Sequence, residues 1–579
     1  MKLRVWAPAA SSVSIELENR QLPMAKADNG YWELDSPDLQ AGTDYHFVLD
    51  KQKALPDPQS AFQPFGVHGP SRMLDHSLFT WRDQGWNAPP VSSGIIYELH
   101  TGTFTPEGTF EGVSQHLGHL IELGVTHVEL MPVAEFPGNR GWGYDGVDLF
   151  APHHAYGGPE GLKRLVDACH QHGLAVLLDV VYNHFGPDGN YLPQFGPYLT
   201  SRYATPWGSA VNFDDRGSDE VRRFICDNAI MWLRDYHFDG LRIDAIHAII
   251  DISATHILEQ LAAEVSELER SLGRRLVLIA ESDLNDPRIV RRDTAGGYNM
   301  DAQWSDDFHH ALHSVLTGEV SGYYADFGSI KDLANALQHA FVYDGRYSKF
   351  RGRRHGRAPA GIPGYRFLGY LQNHDQIGNR ARGDRSSHLM SERRLRIAAA
   401  LVLTAPFIPM LFQGEEWGAS TPFIYFTGHE DEELGRAVSE GRRREFAEAG
   451  WEAEEIPDPQ ALESFTRSKL DWQERGREPH KSLLDWHQNL IKLRKRCRDL
   501  NNGNLENVRA DFDEQARWLL MTRGSIGTAC NFASETRRII LPSSAKRKLM
   551  MASDPLVRLT QEAIELPGES AAIITDSEQ

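Results

Sequence analysis

The sequence predicts an α/β protein, a (β/α)₈ TIM barrel with a β-sandwich before it and another after it. Three observations carry this. Eight short buried runs alternate with amphipathic helical stretches between Gly94 and Trp417, the rhythm of a closed parallel barrel. Runs of strict apolar–polar alternation fill both ends of the chain, the mark of half-buried strands. The length of 579 residues exceeds what one hydrophobic core holds.

Taken in order, LRVWAP, SVSIEL and YHFVLD define an N-terminal β-sandwich over residues 1–88, closed by the Pro- and Gly-rich NAPPVSSG. The barrel spans 89–500. Its strands are GIIYELH from Gly94, HVEL from His127, LAVLLDVV from Leu174, DGLRIDA from Asp239 and RLVLIAE from Arg275, then AQW from Ala302, FLGYLQNHD from Phe367 and PMLFQGEEW from Pro409. Helices between them include PEGLKRLVDACHQHG from Pro159 and SDEVRRFICDNAIMWLRDYHF from Ser218, opened by Pro and Ser start signals; Gly173 closes the first. Residues 182–215 are too long for a simple strand-to-helix turn and form a loop insertion at the end of the barrel where sites form. Residues 430–477, rich in Glu and Arg, form a helical insertion, and 501–579 return to alternating strands as a C-terminal β-sandwich.

Composition excludes several functions. A formal net charge of −20 argues against nucleic acid as a partner and suits a neutral ligand. Cys169, Cys226, Cys497 and Cys530 are too dispersed for a disulfide framework or a zinc motif. The apolar stretch from Ile397 to Phe412 is short for a membrane span and is broken by Pro406 and Pro409; a buried helix followed by a barrel strand accounts for it. The N-terminus has no apolar core of a signal peptide, so the sequence reads as soluble and cytoplasmic, without a membrane partner.

Barrel active sites lie at the carboxyl ends of the strands, and there this chain concentrates acids. Strand three ends in Asp179 and runs on to Asn183 and His184. Strand four ends Arg242-Ile243-Asp244, strand five ends in Glu281, and strand seven ends His374-Asp375. One such Asp is as a rule a helix cap or a structural ion pair; four on one barrel mouth point to chemistry. Glycoside cleavage uses one carboxyl as acid and another as carboxylate. Arg242 shares a strand face with Asp244 and would hold it ionised, as a nucleophile requires. Glu281, closing an apolar strand, would keep its proton and serve as general acid/base.

These residues resemble a known family. DVVYNH (Asp179 to His184), GLRIDAIH (Gly240 to His247), IAES (Ile279 to Ser282) and QNHDQ (Gln372 to Gln376) are similar, in order, to the four signature regions of the α-amylase family of glycoside hydrolases. The resemblance implies Asp244 as nucleophile, Glu281 as acid/base and Asp375 as transition-state stabiliser. It also implies sugar contacts by Tyr144, His184, Arg242 and His374, with Asp145 and Gln376 beside them. Within that family, the stretch from Phe136 to His170, DAQWSDDFHHALH from Asp301 and FQGEEWGASTPFIYFTGH from Phe412 resemble the maltooligosyltrehalose trehalohydrolases. This implies release of trehalose and a maltooligosaccharide from maltooligosyltrehalose, coupled in function to maltooligosyltrehalose synthase. Ser282 departs from the Asn of many relatives, a small polar change.

Asp306, Asp307, Phe308, His309 and His310, after strand six, are candidate contacts on the leaving-group side, as is His247; a helix cap and a core histidine are the competing readings. Trp142 and Trp207 are stacking platforms or loop packing. The basic RGRRHGR (Arg351 to Arg357) reads as a solvated loop. No calcium-like Asp/Asn run occurs near the third-strand insertion, so no metal and no cofactor are expected. The competing functions are a 1,4-α-glucan branching enzyme, a general α-amylase and, more remotely, a non-catalytic sugar-binding protein.

Overall fold

The computed structural model describes residues 1–18, 20–448, 455–542 and 547–576. Part of the expected 430–477 insertion (449–454) and parts of the C-terminal segment (543–546 and 577–579) lie outside the described residues. A closed eight-stranded parallel barrel forms the centre, from Ile96–Leu99, His127–Leu130, Ala175–Val180, Gly240–Ile243, Val277–Ala280, Ala302–Trp304, Phe367–Gly369 and Ile408–Phe412, the last pairing with the first. All eight expected strands are present. They are short because a tilted barrel strand needs only a few paired residues before its helix folds back over it.

Ile96, Leu177, Ile279, Trp304, Leu368 and Met410 fill the barrel interior. Gly240 opens strand four because a Cβ there would stand 2.5 Å from the Val277 carbonyl oxygen. The register then sets the site: Asp179 and Arg242 are partners across strands three and four, and Arg242 faces Ile279 of strand five.

The apolar stretch from Ile397 divides into the helix Glu392–Thr404 and strand eight, and no helix among the described residues is long and apolar enough to cross a membrane. Pro159 lies in the first turn of Gly158–Gln171 as expected, with Gly173 just beyond its end at φ +77°. Ser218 opens Ser218–Asp235 without capping it; the cap position is Gly217. Antiparallel sheets flank the barrel on both sides in sequence. The N-terminal pair meets it at the third-strand insertion, where Trp6 packs edge-on against Tyr198 at 5.4 Å between ring centroids. The C-terminal pair is tied by Arg523, buried, which donates to the carbonyls of Thr404 and Ala405 at 2.6 and 2.7 Å. A guanidinium suits that position because the last carbonyls of a helix lack partners and carry negative partial charge.

Candidate active site

The carboxyl ends of the strands open on a cleft of about 570 Å³ lined by Tyr144, Asp145, His184, Asp244, His247, Glu281 and Asp375, with Trp142 and Trp207 on its walls. At its floor lies the fully buried Arg242. Its Nη1 donates to both oxygens of Asp179 at 2.8 and 2.7 Å and to Asp244 Oδ1 at 2.8 Å, and its Nη2 lies 3.1 Å from Glu281 Oε2. The guanidinium sits over the Trp304 ring, 4.1 Å from its centroid, a contact that favours the cation without adding a competing charge.

The two acids on this guanidinium are in different states. Burial alone raises the Asp244 carboxyl, but Arg242 and the Asn183 amide, donating at 2.7 Å, outweigh it and hold Asp244 below the usual carboxylate range. Burial pushes Glu281 well above that range; Arg242 opposes the rise, and the charges of Asp244, Asp375 and Asp306 add to it. The two surroundings push the carboxyls apart, favouring the ionised form of Asp244 and the protonated form of Glu281. The backbone takes part as well. Ala245, with φ +40°, occupies the left-handed region just after Asp244 and turns its N–H onto Glu281 Oε2 at 2.7 Å. A non-glycine residue held in that region costs about 1–3 kcal/mol, which the surrounding ladder supports.

His374 is buried between two partners, with Nδ1 2.5 Å from Glu98 and Nε2 2.6 Å from the Tyr144 hydroxyl. Burial works against its charge, yet Glu98 and Asp375 push its pKa up to about 9. Tyr144 also donates to Asp179 at 2.7 Å and stacks on the His374 ring. His184 accepts a nearly parallel Trp207 at 4.5 Å, and Trp207 remains 47% exposed. Trp142 is instead buried, its indole N–H bonded to the Ile424 carbonyl.

The segment after strand six divides. Asp306 begins the helix Asp306–Thr317, accepts from the Tyr370 hydroxyl at 2.5 Å and is raised by burial to about 6, with Asp375 and His247 among its charged neighbours. Asp307 points inward: its Oδ2 accepts from the backbone N–H groups of Val342 and Tyr343 and from Asn285, at 2.6 to 2.7 Å. Phe308 packs on Phe407 in the core. His309, buried, bonds the Leu371 carbonyl at 2.6 Å and the Tyr324 hydroxyl at 2.9 Å. His310 packs among Tyr323, Tyr324 and Phe327. Gln376 is not on the cleft wall either; its side-chain oxygen caps its own short helix by accepting from the Asn373 N–H at 2.9 Å.

Other cleft residues were not foreseen. Tyr425, Val438, Arg442 and Glu445 come from the segment after strand eight, where the helix Glu432–Glu448 stands. Arg351, expected in a solvated loop, is 21% exposed and pairs at 2.9 Å with Asp283, two residues past Glu281. It projects from a hairpin, Asp344–Ser348 with Arg353–Gly356, that the helical rhythm of the sequence did not signal.

Several known proteins are similar to this chain over most of its length. The catalytic-domain model of α-amylases matches residues 78–203. A malto-oligosyltrehalose trehalohydrolase of Rhizobium sp. (strain M-11) is 46% identical, covering 99% of this chain and 97% of its own. One of Arthrobacter ramosus is 52% identical, covering 85% and 86%. The crystal structure of a Salmonella typhimurium protein assigned to the α-amylases superposes with a TM-score of 0.91 at 38% identity, covering 99% of this chain and 97% of that one. With this extent of similarity, the chain belongs to the malto-oligosyltrehalose trehalohydrolases of the α-amylase family.

Proposed function

We propose that this chain hydrolyses the α-1,4 bond next to the terminal trehalose of maltooligosyltrehalose, releasing trehalose and a maltooligosaccharide with retention of anomeric configuration. The observation that carries the reading is the division of labour around Arg242: an ionised Asp244 and a protonated Glu281 held on one guanidinium. Asp244 attacks the anomeric carbon while Glu281 gives its proton to the departing glycosidic oxygen. Glu281, now a base, takes a proton from water, which releases the sugar from Asp244. Asp375, which also lines the cleft, stabilises the positive charge that builds on the sugar ring. Tyr144, His184, Arg242 and His374 hold the ring that is cleaved, and Asp145, His247 and Asp306 lie within reach of its neighbours.

Specificity for trehalose is supported by full-length relatives that bear that activity in their names. The substrate needs a trehalose end built onto a glucan, which places this chain after a maltooligosyltrehalose synthase, in the cytoplasm. The same reading divides the chain into an N-terminal module at 1–88, the catalytic barrel at 89–500 and a C-terminal domain at 501–579. Product analysis on maltopentaose and on the same oligosaccharide ending in trehalose tests it. Selective release of free trehalose from the second is expected; equal cleavage of both, or new branches, would return the assignment to a general amylase or a branching enzyme.

A further inference from the structure

Outside the cleft, among the described residues, one cluster brings a carboxylate and two imidazoles close together. The pair Ala134–Glu135 and Asp148–Pro152 forms a short antiparallel ladder, and the loop between them carries Trp142, Tyr144 and Asp145 into the cleft. Glu135 stands at the start of that loop, His153 and His154 just past its return. The nearest donor atoms of the three lie within 4.8 Å of one another.

Glu135 is fully buried and divides its oxygens between two tasks. Oε2 accepts from the His154 backbone N–H at 2.8 Å, which leaves Oε1 facing two imidazoles, His153 Nδ1 at 3.2 Å and His154 Nδ1 at 2.7 Å. Asn139 Oδ1 lies 3.0 Å from the outer nitrogen of His154. An acceptor there fixes the proton on Nε2 and turns the Nδ1 lone pair inward, as outer partners do for metal-bound histidines. His153 is also fully buried and stacked on Phe136 at 3.7 Å, and its Nε2 has no hydrogen-bond partner among the described residues, so its polar contact there lies on the Glu135 side.

We propose that Glu135, His153 and His154 bind one divalent transition-metal ion of the zinc type, with water completing the coordination. Two imidazoles and a carboxylate suit zinc, whose bonds to them run about 2.0–2.2 Å. Such bonds in a tetrahedron separate ligand atoms by roughly 3.4 Å; His153 stands near that spacing at 3.2 Å from Glu135 Oε1, and binding would move His154, now at 2.7 Å and 22% exposed, outward. The ion would clip the two ends of the loop that carries Tyr144 and Asp145. The sequence hides the site because the ligands are 18 and 19 positions apart, unlike the short spacings of zinc motifs.

The test is zinc uptake by the full chain after dialysis against a chelator, read by elemental analysis and by the unfolding midpoint. The wild type should take up one equivalent and gain Tm; His154→Ala should lose that equivalent, and Asn139→Ala should bind about 10-fold more weakly. Cobalt substituted in the wild type should show the visible absorption of a tetrahedral site, absent in His154→Ala. Equal uptake in wild type and both variants, or no uptake by the wild type, would overturn the proposal.

Discussion

The ends of strands four and five and the segment after strand six carry similar clusters of polar residues and meet opposite fates. Arg242, Asp244 and Glu281 all converge on the cleft floor. Of the five residues from Asp306 to His310, Asp306 alone joins the charges of the site; Asp307, Phe308 and His309 are buried in protein and His310 packs among aromatic rings. A strand sends every second residue the same way, so a pair such as Arg242 and Asp244 shares one direction. A helix turns about 100° per residue, so five consecutive positions sweep more than a full turn. A run of functional residue types is therefore strong evidence at a strand end and weak evidence along a helix.

The widest separation between the two regions should come from Asp244→Asn, which removes the attacking carboxylate. Turnover should fall by about 10⁴-fold or more, with the urea midpoint unchanged; activity within tenfold of wild type would remove Asp244 from the reaction. Glu281→Gln should cost about 10²–10⁴-fold, and its pH profile sharpens the assignment. The rate should fall at high pH as Glu281, raised in the fold, loses its proton, and at low pH as Asp244, lowered in the fold, gains one. In Glu281→Gln the alkaline limb should disappear while the acid limb remains.

Asp307→Ala inverts the pattern. It should lower stability by about 1–3 kcal/mol, because three buried donors lose their acceptor, with kcat and KM close to wild type, whereas Asp306→Asn should move KM and leave the midpoint in place. If Asp307→Ala instead impaired catalysis at unchanged stability, the inward placement would be wrong. The smallest effect belongs to Gln376→Ala, about 1 kcal/mol from the lost helix cap and no change in specificity toward trehalose ends.

The barrel and its chemical floor were readable because both obey strand rules. Buried runs centred on strands of three to six residues marked all eight, and the acids at their ends were placed by the parallel register that sets Asp179 beside Arg242. Other groups obey no such rule. Glu98 lies inside strand one, where a lone acid among apolar residues was the available signal, yet it holds His374 in its charged form. Trp304 ends strand six and supports Arg242 from beneath, indistinguishable in sequence from a core residue. Tyr425, Arg442 and Glu445 reach the cleft from the segment after strand eight, whose path depends on tertiary packing. The basic run at Arg351 to Arg357 read as a solvated loop, yet Arg353–Gly356 is a hairpin strand, and the pairing of Arg351 with Asp283 joins positions 68 apart.

The single guanidinium beneath the cleft also constrains how such a site can change over generations. Arg242 contacts Asp179, Asp244 and Glu281 at once, and a lysine, with a point charge and no planar fork, does not reproduce that geometry. Any replacement leaves several acids to repel one another in a buried space, so a lineage has no tolerable first step from which to exchange them singly. The four positions are therefore physically coupled, because a change at any one alters the partners of the other three.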